Sequence, residues 1–215
     1  MKDYNKTLMS AILAGVCIGI GGVVFLSLED KVLGALFFTI GLFVICTMKF
    51  HLFTGKICYV FKNDKSYALQ LPIIWIGNLI GTNLVARLVS FTRIAGIAEK
   101  ATNMCNTKLS DSYASLFVLG ILCNMLIYIA VEGYANILHD VGKYLSLFFG
   151  VAVFILCGFE HCVADMFYFS MADMLGTDGV FIRLLVITLG NAVGGVFFPL
   201  CRAYLEKSKA IVRKK

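Results

Sequence analysis

Apolar residues occupy six long blocks of the chain, at about 7–28, 32–61, 68–92, 109–136, 144–175 and 180–204, with short polar stretches between them. A straight helix rises about 1.5 Å per residue, so about 20 residues cross a hydrocarbon core roughly 30 Å thick. Each block is therefore long enough to be a membrane-spanning helix. The first, Thr7 to Leu28, lacks a small-x-small cleavage site and reads as a retained helix rather than a leader. Blocks two and five are longer than a crossing needs, and each is interrupted by polar residues: "KFHLFTGK" (49–56) and "GFEHCVAD" (158–165). This pattern predicts two half-helices joined by irregular backbone, which survives at membrane depth only inside protein or beside a wet cavity.

Composition agrees. Hydrophobic residues make up 60%, charged residues 15%, and the mean hydropathy is +0.87. These values exclude an ordinary soluble domain and predict an all-α, polytopic membrane protein, a single compact transmembrane helical bundle over 1–215 with no linker. Six crossings put both termini on one side. That side collects eleven Lys and Arg residues, from Lys2 and Lys6 to the tail "KSKAIVRKK", against six on the other, so both termini are expected in the cytoplasm of a cell (inner) membrane. The basic tail, 205–215, is expected to be solvated or to lie against lipid headgroups, and no nucleic-acid motif accompanies it. The eight cysteines include no CxxC pair and read as packing residues, and three histidines are too few for a multi-histidine metal site. No metal or cofactor is expected. HExxH, a paired catalytic Asp and a Ser/His/Asp set are all missing, which argues against an enzyme.

The two halves resemble each other. "IGNLIG" (76–81) recurs as "LGNAVG" (189–194), and "KFHLFTG" recurs as "GFEHCVA", both about 110 residues later. Three crossings per half is an odd number, so the second repeat (about 109–204) must be inverted relative to the first (about 7–92). Inverted repeats with paired broken helices characterise transporters and channels, whose sites lie near the midplane at the repeat interface. The GxxxG pairs Gly77/Gly81 and Gly190/Gly194 predict close helix packing, and Asn78 and Asn191 beside them predict buried amides bonded across helices or to the breaks.

Glu160, His161 and Asp165 lie inside an apolar block. Each costs at least about 2.5–3.5 kcal/mol to insert, so they must face protein or water. Glu160 reads as part of a buried network tying the break together. His161 reads as lining a pathway, where an imidazole can act as a proton relay or a switchable hydrogen-bond donor.

"GFEHCVADMFYF", "HLFTG", "GILCN" (120–124) and the paired GN-x-x-G motifs together resemble the formate/nitrite transporter family, across all six spans. The resemblance implies an aquaporin-like six-helix protomer, a pore through each protomer, and a homopentamer. It makes His161 the central pore histidine and Thr54 the pore threonine. It implies Leu42, Leu52 and Phe53 in a cytoplasmic-side constriction, and Phe38, Phe154 and Leu145 in the opposite one. It makes Lys108 a vestibule lysine that concentrates anions at the outer mouth, with Asn124 and Asn191 as buried supports near it and Glu160. Departures are visible: His51 stands where many members have Glu, Lys49 adds a charge, and Asp165 replaces a common Asn. The family's amphipathic N-terminal gating helix is also not expected, since the first span begins by Thr7.

The implied function is a channel for a small monovalent weak-acid anion, formate or nitrite first and hydrosulfide as the alternative. Leu and Phe rings pass a neutral acid more cheaply than a bare ion, so proton transfer involving His161 or water is one mechanism and conduction of the hydrated anion is the other. A neutral-solute channel lacks support because no Asn-Pro-Ala signature occurs and Pro stands only at 72 and 199. A membrane sensor or enzyme on the same fold is the reading from a different class.

Overall fold

The structure is a computed structural model that describes residues 3–212, with side chains described to residue 207. Helix α1 (Tyr4–Ser27) starts where the Asp3 carboxylate accepts from the Lys6 N–H. Helix α2 (Lys31–Phe38) starts where Asp30 accepts from Val32 and Leu33, and it runs on through Thr39 into α3 (Ile40–Met48). Such caps satisfy N–H groups that no helical carbonyl can reach. Then follow α4 (Phe53–Ile57), a 3₁₀ turn (Val60–Lys62), α5 (Lys65–Ala68) and α6 (Leu71–Ser90), which carries Pro72 in its first turn. The second half comprises α7 (Ile97–Ser110), α8 (Tyr113–Asn136), α9 (Asp140–Leu156), α10 (Cys162–Met171) and α11 (Val180–Val212).

Among the described residues no strand occurs, and five helical stretches are long and apolar enough to cross a membrane. They are Tyr4–Ser27, Lys31–Met48, Lys65–Ser90, Tyr113–Asn136 and Val180–Lys207. The block at 144–175 is divided between α9, of 17 residues, and α10, of 10 residues. The second block likewise ends its long helix at Met48 and resumes at Phe53.

Three boundaries differ from those read off hydropathy. Helix α7 lies in a stretch too polar to register as an apolar block, and it ends before Ser112 caps α8. Helix α1 begins at Tyr4 rather than Thr7. Helix α11 continues through 205–212, where a tail is expected, because Glu206 and Lys207 are good helix formers. Lys2 and residues 213–215, also used in the charge count, lie outside the described residues.

The packing is built on glycine. Helix α1 crosses α6, and α8 crosses α11. A Cβ on Gly81 would sit 2.7 Å from the Val16 nitrogen, and one on Gly194 would collide with the Ile121 carbonyl oxygen. Only hydrogen at these positions lets the backbones approach. Large apolar side chains such as Leu88 and Phe181 remain exposed on the outside, as suits a chain whose solvent there is lipid.

Candidate functional site

The two breaks share one backbone design. Each begins with a left-handed residue, Lys49 (φ 59°) in the first and Gly158 (φ 71°) in the second. The Phe50 N–H reaches back to the Ile45 carbonyl at 3.0 Å, and the Phe159 N–H to the Phe154 carbonyl at 2.9 Å. The next N–H leaves the segment for a neighbouring helix: His51 to Ser10 on α1, and Glu160 to Leu119 on α8, both at 3.4 Å.

One asparagine closes each break. The Asn78 amide nitrogen donates to the carbonyls of Ala11 (2.8 Å) and His51 (3.0 Å), and its oxygen accepts from the Phe53 N–H (2.8 Å). The Asn191 nitrogen donates to Gly120 and Glu160 (both 2.8 Å), and its oxygen accepts from Cys162 (2.9 Å). A side-chain amide carries donors and an acceptor together, so one residue serves groups that irregular backbone leaves open. Both asparagines are fully buried.

The breaks bring His161 and Thr54 together, with Nε2 and Oγ1 2.9 Å apart. His161 also caps α10, its Nδ1 accepting from the Ala164 N–H at 3.1 Å. An Nδ1 that accepts carries no proton, so the neutral ring holds its proton on Nε2 and donates it to Thr54. The Thr54 hydroxyl proton is then left to donate elsewhere. Phe154 stacks on the His161 ring (centroids 5.5 Å apart, planes 17° apart), and Phe38 supports Phe154 edge-on. Asn124 donates to the Thr54 carbonyl (3.1 Å) and to the Asn191 carbonyl (2.7 Å), so it braces the threonine rather than the lysine.

A cavity lies on either side. The first, about 450 Å³, is lined by Lys108, Glu160, His161, Phe154 and Asp165 among others. The Lys108 ammonium is hydrogen-bonded to Glu160 and lies 3.0 Å from Asp165. Lys108 is thus clamped by two carboxylates, which the expectation of a free vestibule cation did not anticipate. Its helix is held at the C-terminal end by Arg183, which donates to the Lys108 and Leu109 carbonyls. Lys31 and Lys100, also on this cavity, donate to the carbonyls of Leu156 and Leu28 where α9 and α1 end.

The second cavity, about 300 Å³, is lined by Leu42, Leu52, Lys56 and Tyr59, with Asn63 and Tyr67. Of its lining residues Leu42 and Leu52 are buried, and Phe53, the first residue of α4, is buried as well. Leu145 does not join either cavity and is 46% exposed. It precedes Phe154 by nine helical residues, about half a revolution, so the two point to opposite faces of α9. Lys56, which closes the stretch "KFHLFTGK" and lines this cavity, was not singled out in the sequence.

The profile of the family described as Formate/nitrite transporter matches residues 1–205. The protein named Uncharacterized transporter YrhG, from Bacillus subtilis, is 31% identical over 79% of this chain and 69% of its own length. The Nitrite transporter NirC of Salmonella typhimurium is 28% identical over 88% of this chain and 79% of its own. A solved structure described as a pentameric formate channel with formate bound aligns with a TM-score of 0.80 and 27% identity, over 95% of this chain and 97% of that one. These relatives are transporters and channels, not enzymes. With a family profile spanning nearly the whole sequence, and helices built to cross a bilayer, the chain is an integral membrane protein that belongs to the formate/nitrite transporter family.

Proposed function

We propose that the chain is a channel for a small monovalent weak-acid anion, formate or nitrite, with its pathway running from one cavity to the other past the Thr54–His161 pair. That pair is the observation that carries the reading: two buried polar side chains, joined at 2.9 Å, at the meeting point of the two breaks, with the Thr54 hydroxyl proton left to donate. The likeness to a formate-bound pentameric channel supports the anion class and a homopentamer. The Lys and Arg count supports cytoplasmic termini, with α3–α4 and α9–α10 each making one broken crossing of six in two inverted repeats.

In this mechanism the anion sheds water at Leu42, Leu52 and Phe53 on one side and at Phe154, backed by Phe38, on the other. The Thr54 hydroxyl, polarised by His161, replaces part of the lost hydration at the middle. The greasy rings favour the neutral acid over the ion, because a bare charge in an apolar constriction is costly. The cap to Ala164 favours His161 as a fixed neutral donor, since ionising the ring would set an N–H against an N–H. A proton for the acid then comes from water rather than from the ring.

The test is uptake of formate, nitrite and hydrosulfide by liposomes holding the purified protein, with Thr54→Val and His161→Asn alongside. The expected result is uptake of at least one of the three by wild type, with a large loss in Thr54→Val although the protein assembles. Uptake undiminished in both variants would remove the pair from the pathway.

A further inference from the structure

The two cavities differ in charge. The first is lined by Lys31, Lys100 and Lys108 and by Glu29, Glu160 and Asp165, so cations and carboxylates balance. Each of its lysines is engaged, one by carboxylates and two by helix-end carbonyls. In the second cavity, Lys56 is the only charged side chain among the lining residues. It has no ion pair and no hydrogen bond to its ammonium among the described residues.

The neighbouring polar groups are spoken for. The Tyr67 hydroxyl donates to the Lys56 carbonyl (2.8 Å), and the Asn63 amide donates to the Tyr59 carbonyl (2.8 Å). The Tyr59 hydroxyl donates to Glu132 (2.8 Å), whose carboxylate also holds Arg202 (2.8 Å). Glu132 is therefore neutralised from its own side and leaves Lys56 uncompensated. A lone ammonium in a half-enclosed cavity with apolar walls acts over a longer range than the same charge in open water.

Resting on the channel reading above, we infer that Lys56 forms a binding subsite for a small monovalent anion in the second cavity, directly before the Leu42–Leu52 constriction. The ammonium has three donors to offer, and the adjoining leucines hold the anion where it has begun to lose water. Lys108 is held by two carboxylates, so the cation left without a counter-charge lies on the α4 side of the pathway. The alternative for Lys56 is a side chain that extends along the wall only to keep its charge wet, and this role leaves anion affinity untouched.

The experiment measures initial uptake of formate and of nitrite against concentration in liposomes, for wild type, Lys56→Gln, Lys56→Arg and Asn63→Asp. Removing one charge–charge contact near a wet surface is worth about fivefold in affinity. Lys56→Gln should therefore raise the half-saturating concentration by about that factor, with the maximal rate retained. Lys56→Arg should restore the wild-type value, and Asn63→Asp, which sets a carboxylate on the same wall, should raise it. An unchanged half-saturating concentration in Lys56→Gln, or an equal loss in Lys56→Gln and Lys56→Arg, overturns the subsite while leaving the channel reading intact. If Lys56→Gln does not assemble, an unchanged value in Asn63→Asp overturns it. Wild type that moves neither anion, nor hydrosulfide, overturns both.

Discussion

The break at 49–57 and the break at 158–166 have the same backbone and different side chains. In the register that superimposes their hydrogen bonds, Lys49 stands opposite Gly158, His51 opposite Glu160, Leu52 opposite His161, Thr54 opposite Val163 and Lys56 opposite Asp165. The shared features are the left-handed residue, the N–H that leaves for a neighbouring helix, and the asparagine. Backbone satisfaction therefore builds the joint, and the side chains hung on it are free to diverge. The divergence makes the site one-sided: His161 meets Thr54, while the residues at the equivalent positions are Leu52 and Val163, which can form no such pair.

The strongest way to break the comparison is to remove the asparagines. Asn78→Leu and Asn191→Leu each strand one carbonyl and one N–H of the break at about 1–3 kcal/mol apiece, and each also takes a second bond from a helical carbonyl, Ala11 or Gly120. Both variants should lose most of their folded yield, and to a similar degree. A tolerated Asn78→Leu beside a lethal Asn191→Leu, judged by gel filtration and thermal melting in detergent, would show that the joints are not equivalent.

Next comes the clamp, which exists in the second half only. Lys108→Met leaves Glu160 and Asp165 buried without a cation, a loss of about 3–5 kcal/mol. Glu160→Gln keeps the Lys108–Asp165 pair and should cost clearly less. A melting series with the order reversed would mean that Lys108 is not primarily a structural cation.

The polar pair should matter to transport more than to folding. Thr54→Val trades a hydroxyl for a methyl and forfeits one hydrogen bond, worth about 1 kcal/mol. Its melting temperature should fall little, while its anion uptake should fall strongly.

The smallest effect tests the left-handed residues. Lys49→Gly should be neutral or slightly stabilising, because glycine adopts a positive φ without strain. Gly158→Ala should cost about 1 kcal/mol, and nothing lies within 4 Å of the added Cβ, so the cost is in the backbone alone. Equal and opposite small shifts would sharpen the equivalence of the two joints.

Much of this was legible in the sequence for a physical reason. A bilayer forces long apolar blocks, and interrupting one is costly, so both breaks announce themselves by their polar residues. The repeat was visible because asparagine and glycine do jobs that few other residues can do, at Asn78, Gly81, Asn191 and Gly194. What stayed hidden depends on three-dimensional pairing. The double clamp on Lys108 joins α7 to the second break across about 50 residues of chain, and no local pattern encodes it. The same holds for Lys56, whose lack of a partner is a property of its surroundings. Leu145, which the family resemblance set beside Phe154, lies on the far face of α9, because helical phase separates the two by about half a revolution. Helix α7 was missed because a helix outside the apolar blocks carries no hydropathy signal.

The asparagine closures bear on electrical insulation. A break in a transmembrane helix ordinarily invites water to solvate its exposed amides, and a continuous file of water conducts protons. Here side-chain amides solvate the Phe53 and Cys162 N–H groups and the His51 and Glu160 carbonyls, and no water is needed at those positions. The joint can stay dry between passages. A membrane that stores energy as a proton gradient can thus hold a channel with two broken helices without short-circuiting itself.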